Sequence, residues 1–229
     1  MFPASQTRKQ QYLFGGKEMS IPDDDKRTEK VEQPQYRNIV FKPQTSALLI
    51  IDMQQYFCNP SSHAYFKDST TIIPNIHQLI ITYRQHSLPV LFTRYALLKT
   101  ENPGAMGRWW KDVLYDGNMM SSIIDAFHPF QSEPVIRKTQ YSAFFETDLD
   151  TILKNHQVTT IVITGVLTHL CCETTARDAF MRNYDIFFVS DATASDTKTL
   201  HSASLATLSN GFATISTTNE VCACIKAMK

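Results

Sequence analysis

The chain reads as an α/β protein of three layers, αβα, with a six-stranded, mostly parallel sheet in the middle. Three observations predict this. From about residue 46 onward, short apolar runs alternate with segments whose apolar residues recur at helical spacing. Several runs are apolar throughout, as in strands covered on both faces. Charged or reactive side chains fall just past the ends of these runs, where open parallel sheets bind ligands.

Residues 1–40 are polar and charged, with stretches such as DDDKRTEK, and read as a partly mobile N-terminal extension to a domain spanning 41–229. Ser46–Asp52, SALLIID, is the first strand and ends in a carboxylate. Ile72–Tyr83 places Ile72, Ile73, Ile76, Leu79, Ile80 and Tyr83 on one helical stripe. Pro89–Arg94 is the second strand. A long connection follows, containing Trp109 and Trp110, and connections of that length are more often functional than idle. Pro134–Lys138 is the third strand, Asp148–His156 a helix and Thr159–Thr164 the fourth strand. Cys171–Asn183 is helical, Asp185–Asp191 the fifth strand, Thr197–Ser209 helical, Phe212–Ser216 the sixth strand and Asn219–Met228 a closing helix.

Composition narrows the function classes. Lys plus Arg and Asp plus Glu number 22 each, so net charge gives no pull toward nucleic acid or an anionic membrane. No apolar stretch reaches the ~18 residues of a membrane span, and the first twenty residues hold no continuous apolar signal core. Five cysteines, two of them adjacent, make a poor disulfide framework. A reducing, cytoplasmic location is expected.

The reactive residues sit at strand ends. Ile161–Ala179, IVITGVLTHLCCETTARDA, is a buried strand broken at Gly165, then a turn carrying Cys171 and Cys172, then a helix. A thiol at the amino end of a helix feels its positive dipole, which favours thiolate. Asp52 and Lys138 end two other strands, so the topology brings a carboxylate, an ammonium and a thiol to one edge. Asp52 can accept the thiol proton, Lys138 can hold Asp52 ionised and depress the thiol, and backbone N–H groups of the turn can receive an oxyanion.

These residues resemble the isochorismatase-like hydrolase superfamily, the cysteine hydrolases. ALLIIDMQQYF around Asp52, VIRKTQYSAFFETDLDTIL around Lys138 and GVLTHLCCETTARDAF around Cys171 carry the likeness, which runs from about Ser46 to Thr218. The resemblance implies a Rossmann-like sheet between helices and the triad Asp52, Lys138 and Cys171. It implies a cis peptide at Val166–Leu167, an oxyanion hole from the Leu167 and Cys171 N–H groups, and a homo-oligomer, dimer or tetramer. The family spacing Gly-x-x-Thr-x-x-Cys selects Cys171 over Cys172, which is left to helix packing. The expected partner is a small-molecule substrate, with no nucleic acid and no membrane. Gln54, Phe57, Arg94, Trp109, Trp110, Tyr141 and Phe144 are candidates to line its pocket, Arg94 as a ligand for a carboxylate.

Two departures define the subclass. Nicotinamidases of the superfamily carry a metal site on an Asp-x-His pair and a further His, but the segment LFTRYALLKTENPGAMGRWW has no histidine. The expectation is therefore no metal, no cofactor and no nicotinamide turnover. The thiol argues for attack on the C–N bond of a small amide or carbamoyl compound through a thioester. The alternatives are an isochorismatase-type vinyl-ether hydrolase with Asp52 as acid, favoured by His169, DAFMR and the KTQYSAF block, and a non-catalytic interaction scaffold.

Overall fold

The computed structural model describes residues 12–14, 17–19 and 39–228. The chain divides into two compact units, Met1–Glu32 and Gln33–Lys229. In the first, β1 (Tyr12–Phe14) and β2 (Lys17–Met19) pair antiparallel, with Tyr12 opposite Met19. The sequence reading did not anticipate these strands. Its expectation of mobility over 1–40 falls mostly outside the described residues.

The second unit holds six parallel strands: β3 (Ser46–Ile51), β4 (Val90–Tyr95), β5 (Val135–Lys138), β6 (Thr160–Val166), β7 (Asp185–Ala194) and β8 (Ala213–Ser216). Their order is β5-β4-β3-β6-β7-β8. Strand order reverses between β3 and β6, so the switch point opens beyond Ile51 and Val166. All residues of β3 and β6 are buried, which explains why neither sequence alternates.

The pleat divides β3 between two cores. Leu48 and Ile50 face α3 (Ile73–Gln85) and α8 (Thr218–Lys226), packing with Ile76, Leu79, Tyr83, Val221 and Ile225. Ala47, Leu49 and Ile51 face the opposite layer of α5 (Leu149–Asn155), α6 (Glu173–Met181) and α7 (Lys198–Gly211). Helix starts follow their chemistry. The Thr197 side chain accepts from the Leu200 N–H ahead of α7, and Thr217 with Glu220 forms a capping box at α8.

The predicted elements recur within a few residues of their expected bounds. β7 is the main exception, running on to Ala194 beside a register shift in β6 between Ile163 and Gly165. Three short helices escaped the sequence reading: α1 (Gln55–Cys58), α2 (Asp68–Thr71) and α4 (Gly104–Trp110). Each is too short to show a period. Among the described residues, no helix is long and apolar enough to cross a membrane.

Candidate active site

The site forms where β3, β5 and β6 end. Gly165 sits in β6 opposite Ile51 and has φ +108°, a conformation reserved for glycine. A Cβ there would collide with the Ile51 carbonyl oxygen and lie 2.7 Å from its nitrogen. The missing side chain lets β3 and β6 close up at the switch point.

Asp52 follows at once, with φ +50°. The left-handed region costs an L-residue about 1–2 kcal/mol and is one that Asp tolerates. Thr93 of β4 fixes the result: its hydroxyl donates to Asp52 Oδ1 at 2.7 Å and accepts from the Asp52 N–H at 3.2 Å.

Lys138 reaches back from the edge strand across β4. Its Nζ lies 2.7 Å from Asp52 Oδ2, and it donates to the Gln140 carbonyl at 2.9 Å and to Cys171 Sγ at 3.3 Å. Exposures are 0% for Asp52, 1% for Lys138 and 6% for Cys171. Asp52 Oδ2 makes an ion pair with the lysine but has no hydrogen-bond partner of good geometry. It therefore keeps acceptor capacity for the Cys171 thiol.

Cys171 lies in a π-helical turn, Thr168–Cys172, that leads into α6. The peptide before it, Val166–Leu167, is cis. Cys172 is fully buried, its Sγ 4.0 Å from the Thr164 carbonyl, as a packing residue should be.

Electrostatics correct one expectation. Helix dipole and lysine were expected to favour thiolate. Burial outweighs Lys138, and the Cys171 thiol is pushed up to about 12. For Lys138 the largest influence is also burial, which disfavours the ammonium. Asp52 and Cys171 overcome it and leave the lysine above its ordinary value. The resting site thus holds an ammonium on Lys138 and a neutral thiol on Cys171.

The pocket candidates separate. Trp109 and Tyr141 line a cavity of about 610 Å³ with Ala105, Met106, Arg108 and Gln140. Trp110 Nε1 donates to Tyr141 Oη at 2.7 Å. Four others have structural work instead. Gln54 is fully buried: Nε2 donates to the Tyr95 and Ser121 carbonyls, and Oε1 accepts from the Tyr95 N–H. Phe57 packs on the α3–α8 core. Phe144 is a core residue stacked on Tyr184 beneath the Arg182 guanidinium. Arg94 is tied to Asp116 at 2.8 Å. A buried glutamine and a strand-end arginine look alike in sequence whether they hold backbone or substrate.

Sequence reasoning missed Thr93, Gln140 and the braces of the nucleophile turn. Thr168 Oγ1 meets His201 Nδ1 at 2.9 Å, Ser204 Oγ donates to the Thr168 carbonyl at 3.3 Å, and His169 Nδ1 meets Ser195 Oγ at 2.9 Å. His201 is half-buried against this turn. Burial lowers the pKa of both His169 and His201. No group of three or more His, Cys, Asp or Glu among the described residues could hold a metal ion.

A parallel sheet presenting a buried acid, amine and thiol at its switch point holds the groups that hydrolysis through sulfur needs. Residues 46–220 match the isochorismatase domain, and the chain belongs to that family. It is 38% identical over 171 residues to nicotinamidase 3 of Arabidopsis thaliana, covering 73% of this chain and 82% of that one. It is 34% identical over 170 residues to enterobactin synthase component B of Escherichia coli (strain K12), covering 72% of this chain but only 58% of that relative. With the ureidoacrylate amidohydrolase RutB of Methylobacterium radiotolerans it shares 30% identity over 203 residues, 78% of each chain. The crystal structure of a cysteine hydrolase from Pseudomonas syringae pv. phaseolicola 1448A superposes with TM-score 0.78 at 30% identity, covering 82% of this chain and 95% of that one.

Proposed function

We propose that the protein hydrolyses the C–N bond of a small amide or carbamoyl compound through a thioester on Cys171. One observation carries the reading: Lys138 contacts both Asp52 and Cys171, while Asp52 Oδ2 keeps room for the thiol proton. As Sγ bonds to the carbonyl carbon, Asp52 takes the thiol proton and Lys138 steadies the sulfur. The N–H groups of Leu167 and Cys171 receive the oxyanion. Asp52 then protonates the leaving nitrogen, the C–N bond breaks, and ammonia or an amine departs. Water adds to the thioester with Asp52 as base; the C–S bond breaks and the proton returns to sulfur.

The names of two relatives, a nicotinamidase and a ureidoacrylate amidohydrolase, support this class of substrate. The segment LFTRYALLKTENPGAMGRWW offers no imidazole ligand for a nicotinamidase-type metal site. A 38%-identical relative with that name returns nicotinamide to the test panel. All five cysteines are free, which supports the cytoplasmic placement. The homo-oligomer remains what the family resemblance implies.

The test is a panel of small amides, carbamoyl compounds, nicotinamide and isochorismate, run on wild type, Cys171→Ala and Asp52→Asn. The proposal expects turnover of a C–N substrate that both substitutions abolish. Vinyl-ether chemistry instead predicts that Cys171→Ala stays active while Asp52→Asn is dead. A scaffold predicts no turnover at all.

A further inference from the structure

The chemistry above leaves one hydroxyl beside the triad without a role. Tyr95 closes β4 and pairs in register with Lys138 on the edge strand. Its backbone is clamped by the buried Gln54, which accepts from the Tyr95 N–H at 2.8 Å and donates to the Tyr95 carbonyl at 3.0 Å. The triad ammonium, Lys138 Nζ, lies 5.9 Å from the centroid of the Tyr95 ring. The side chain is partly buried, yet its hydroxyl has no hydrogen-bond partner among the described residues.

The polar groups around it are already engaged. Asp52 takes Thr93 on one oxygen and Lys138 on the other, and the Gln140 carbonyl takes Lys138 as well. Asp112 accepts from Tyr56 and meets His63 at 2.8 Å. Tyr141 accepts from Trp110 at 2.7 Å. Cys171, Asp112 and Tyr141 are all close enough to Tyr95 for their charge to act on it. Burial pushes the Tyr95 phenol up to about 12 against the pull of Lys138, so it keeps its proton at neutral pH. The result is a neutral O–H donor, part-shielded from water and held on a rigid strand. In the thioester reaction the scissile carbonyl oxygen goes to the Leu167 and Cys171 N–H groups, and the leaving nitrogen goes to Asp52. The Tyr95 donor is left for a different atom of the substrate.

We propose that Tyr95 is a specificity-determining residue of this site. Its hydroxyl donates to an uncharged lone-pair atom, a carbonyl oxygen or ring nitrogen, set apart from the carbonyl that Cys171 attacks. Which carbonyl reacts rests on the amidohydrolase reading; the contact with the hydroxyl does not.

The test uses nicotinamide and benzamide, two uncharged amides that differ in one ring atom, a lone-pair nitrogen against C–H. Titration calorimetry is run on Cys171→Ala, which cannot turn either over through sulfur, and on the same protein with Tyr95→Phe or Tyr115→Phe added. Tyr115 is an exposed tyrosine of the long connection and serves as the control. Cys171→Ala should bind nicotinamide roughly three- to tenfold more tightly than benzamide, the effect of one neutral hydrogen bond. Tyr95→Phe keeps the ring beside Lys138 and should bring the two affinities together by weakening nicotinamide alone. Tyr115→Phe should leave the ratio intact. A purely structural Tyr95 would weaken both amides alike, so the ratio is the readout. Equal affinities in Cys171→Ala, no binding of either amide, or a preference that survives Tyr95→Phe overturns the proposal. Turnover assays with Cys171 restored separate the two claims. A Tyr95-dependent preference in a protein that hydrolyses no amide would refute the reaction and leave the contact standing. Amide turnover with an unchanged ratio in Tyr95→Phe would refute the contact alone.

Discussion

Replacing Lys138 with methionine removes one charge from a pair shut away from water and keeps most of the side-chain volume. Neither side chain of the pair has any solvent exposure, and Nζ stands 2.7 Å from Asp52 Oδ2. Breaking such a pair from one side typically costs about 3–5 kcal/mol, because the remaining charge is stranded in a medium that cannot solvate it. Against a usual total of roughly 5–15 kcal/mol, Lys138→Met should forfeit about a fifth of the stability or more. The assay is urea unfolding at neutral pH on Lys138→Met, Asp52→Asn and the double variant. The double variant should regain at least ~2 kcal/mol over the sum of the single losses, since neither charge is left alone. A Lys138→Met loss below ~1 kcal/mol, or additive losses, would refute the reasoning. The pH dependence has a fixed sign. Lys138 sits above its ordinary value when folded, so its contribution is complete below the unfolded lysine pKa of about 10.4 and fades as alkali approaches the folded value. Cys171 acts in the same direction. Its folded pKa of about 12 exceeds that of a free thiol, so stability drains away as pH climbs between the two. Lys138→Met should flatten this alkaline loss.

Three further outcomes follow from the same geometry. Alkylation of Cys171 by iodoacetamide, followed by peptide mass mapping, should show no rate step near the free-thiol pKa of about 8.5 and should rise only toward 12; a step near 8.5 or below would mean a preformed thiolate. Gly165→Ala should lose about 3 kcal/mol or more in denaturant and lose activity with it, because the new methyl displaces Ile51 next to the acid; wild-type stability would contradict the close approach of β3 and β6. His201→Leu should cost about 1 kcal/mol through the lost Thr168 contact. Because burial lowers the His169 and His201 pKa values, wild type should lose stability as pH falls below about 6.5, and less so in His201→Leu; identical acid profiles would remove the histidine from that role.

The sheet was legible because each strand is short, apolar and bounded by polar residues, and because β3 and β6 carry the uninterrupted apolar runs of doubly covered strands. The reactive constellation was legible for a topological reason. Asp52, Lys138 and Cys171 each end or follow a strand, and parallel strands deliver their carboxyl ends to one edge. What stayed hidden depends on contacts between distant segments. Nothing local marks Thr93 as the partner of Asp52, or says that Gln54 would spend its amide on Tyr95 and Ser121. The ionisation of Cys171 was misjudged for the same reason. Helix position and a neighbouring lysine can be read along the chain, but the depth of burial that overrides them cannot.

The account stands most directly on a mass measurement. Wild-type protein mixed with a turned-over amide or carbamoyl substrate, then acid-quenched during steady state, should gain the mass of the acyl group on the peptide carrying Cys171. Cys171→Ala should show neither the added mass nor the turnover. A Cys171→Ala protein that hydrolyses the same substrate at the wild-type rate would contradict the central claim.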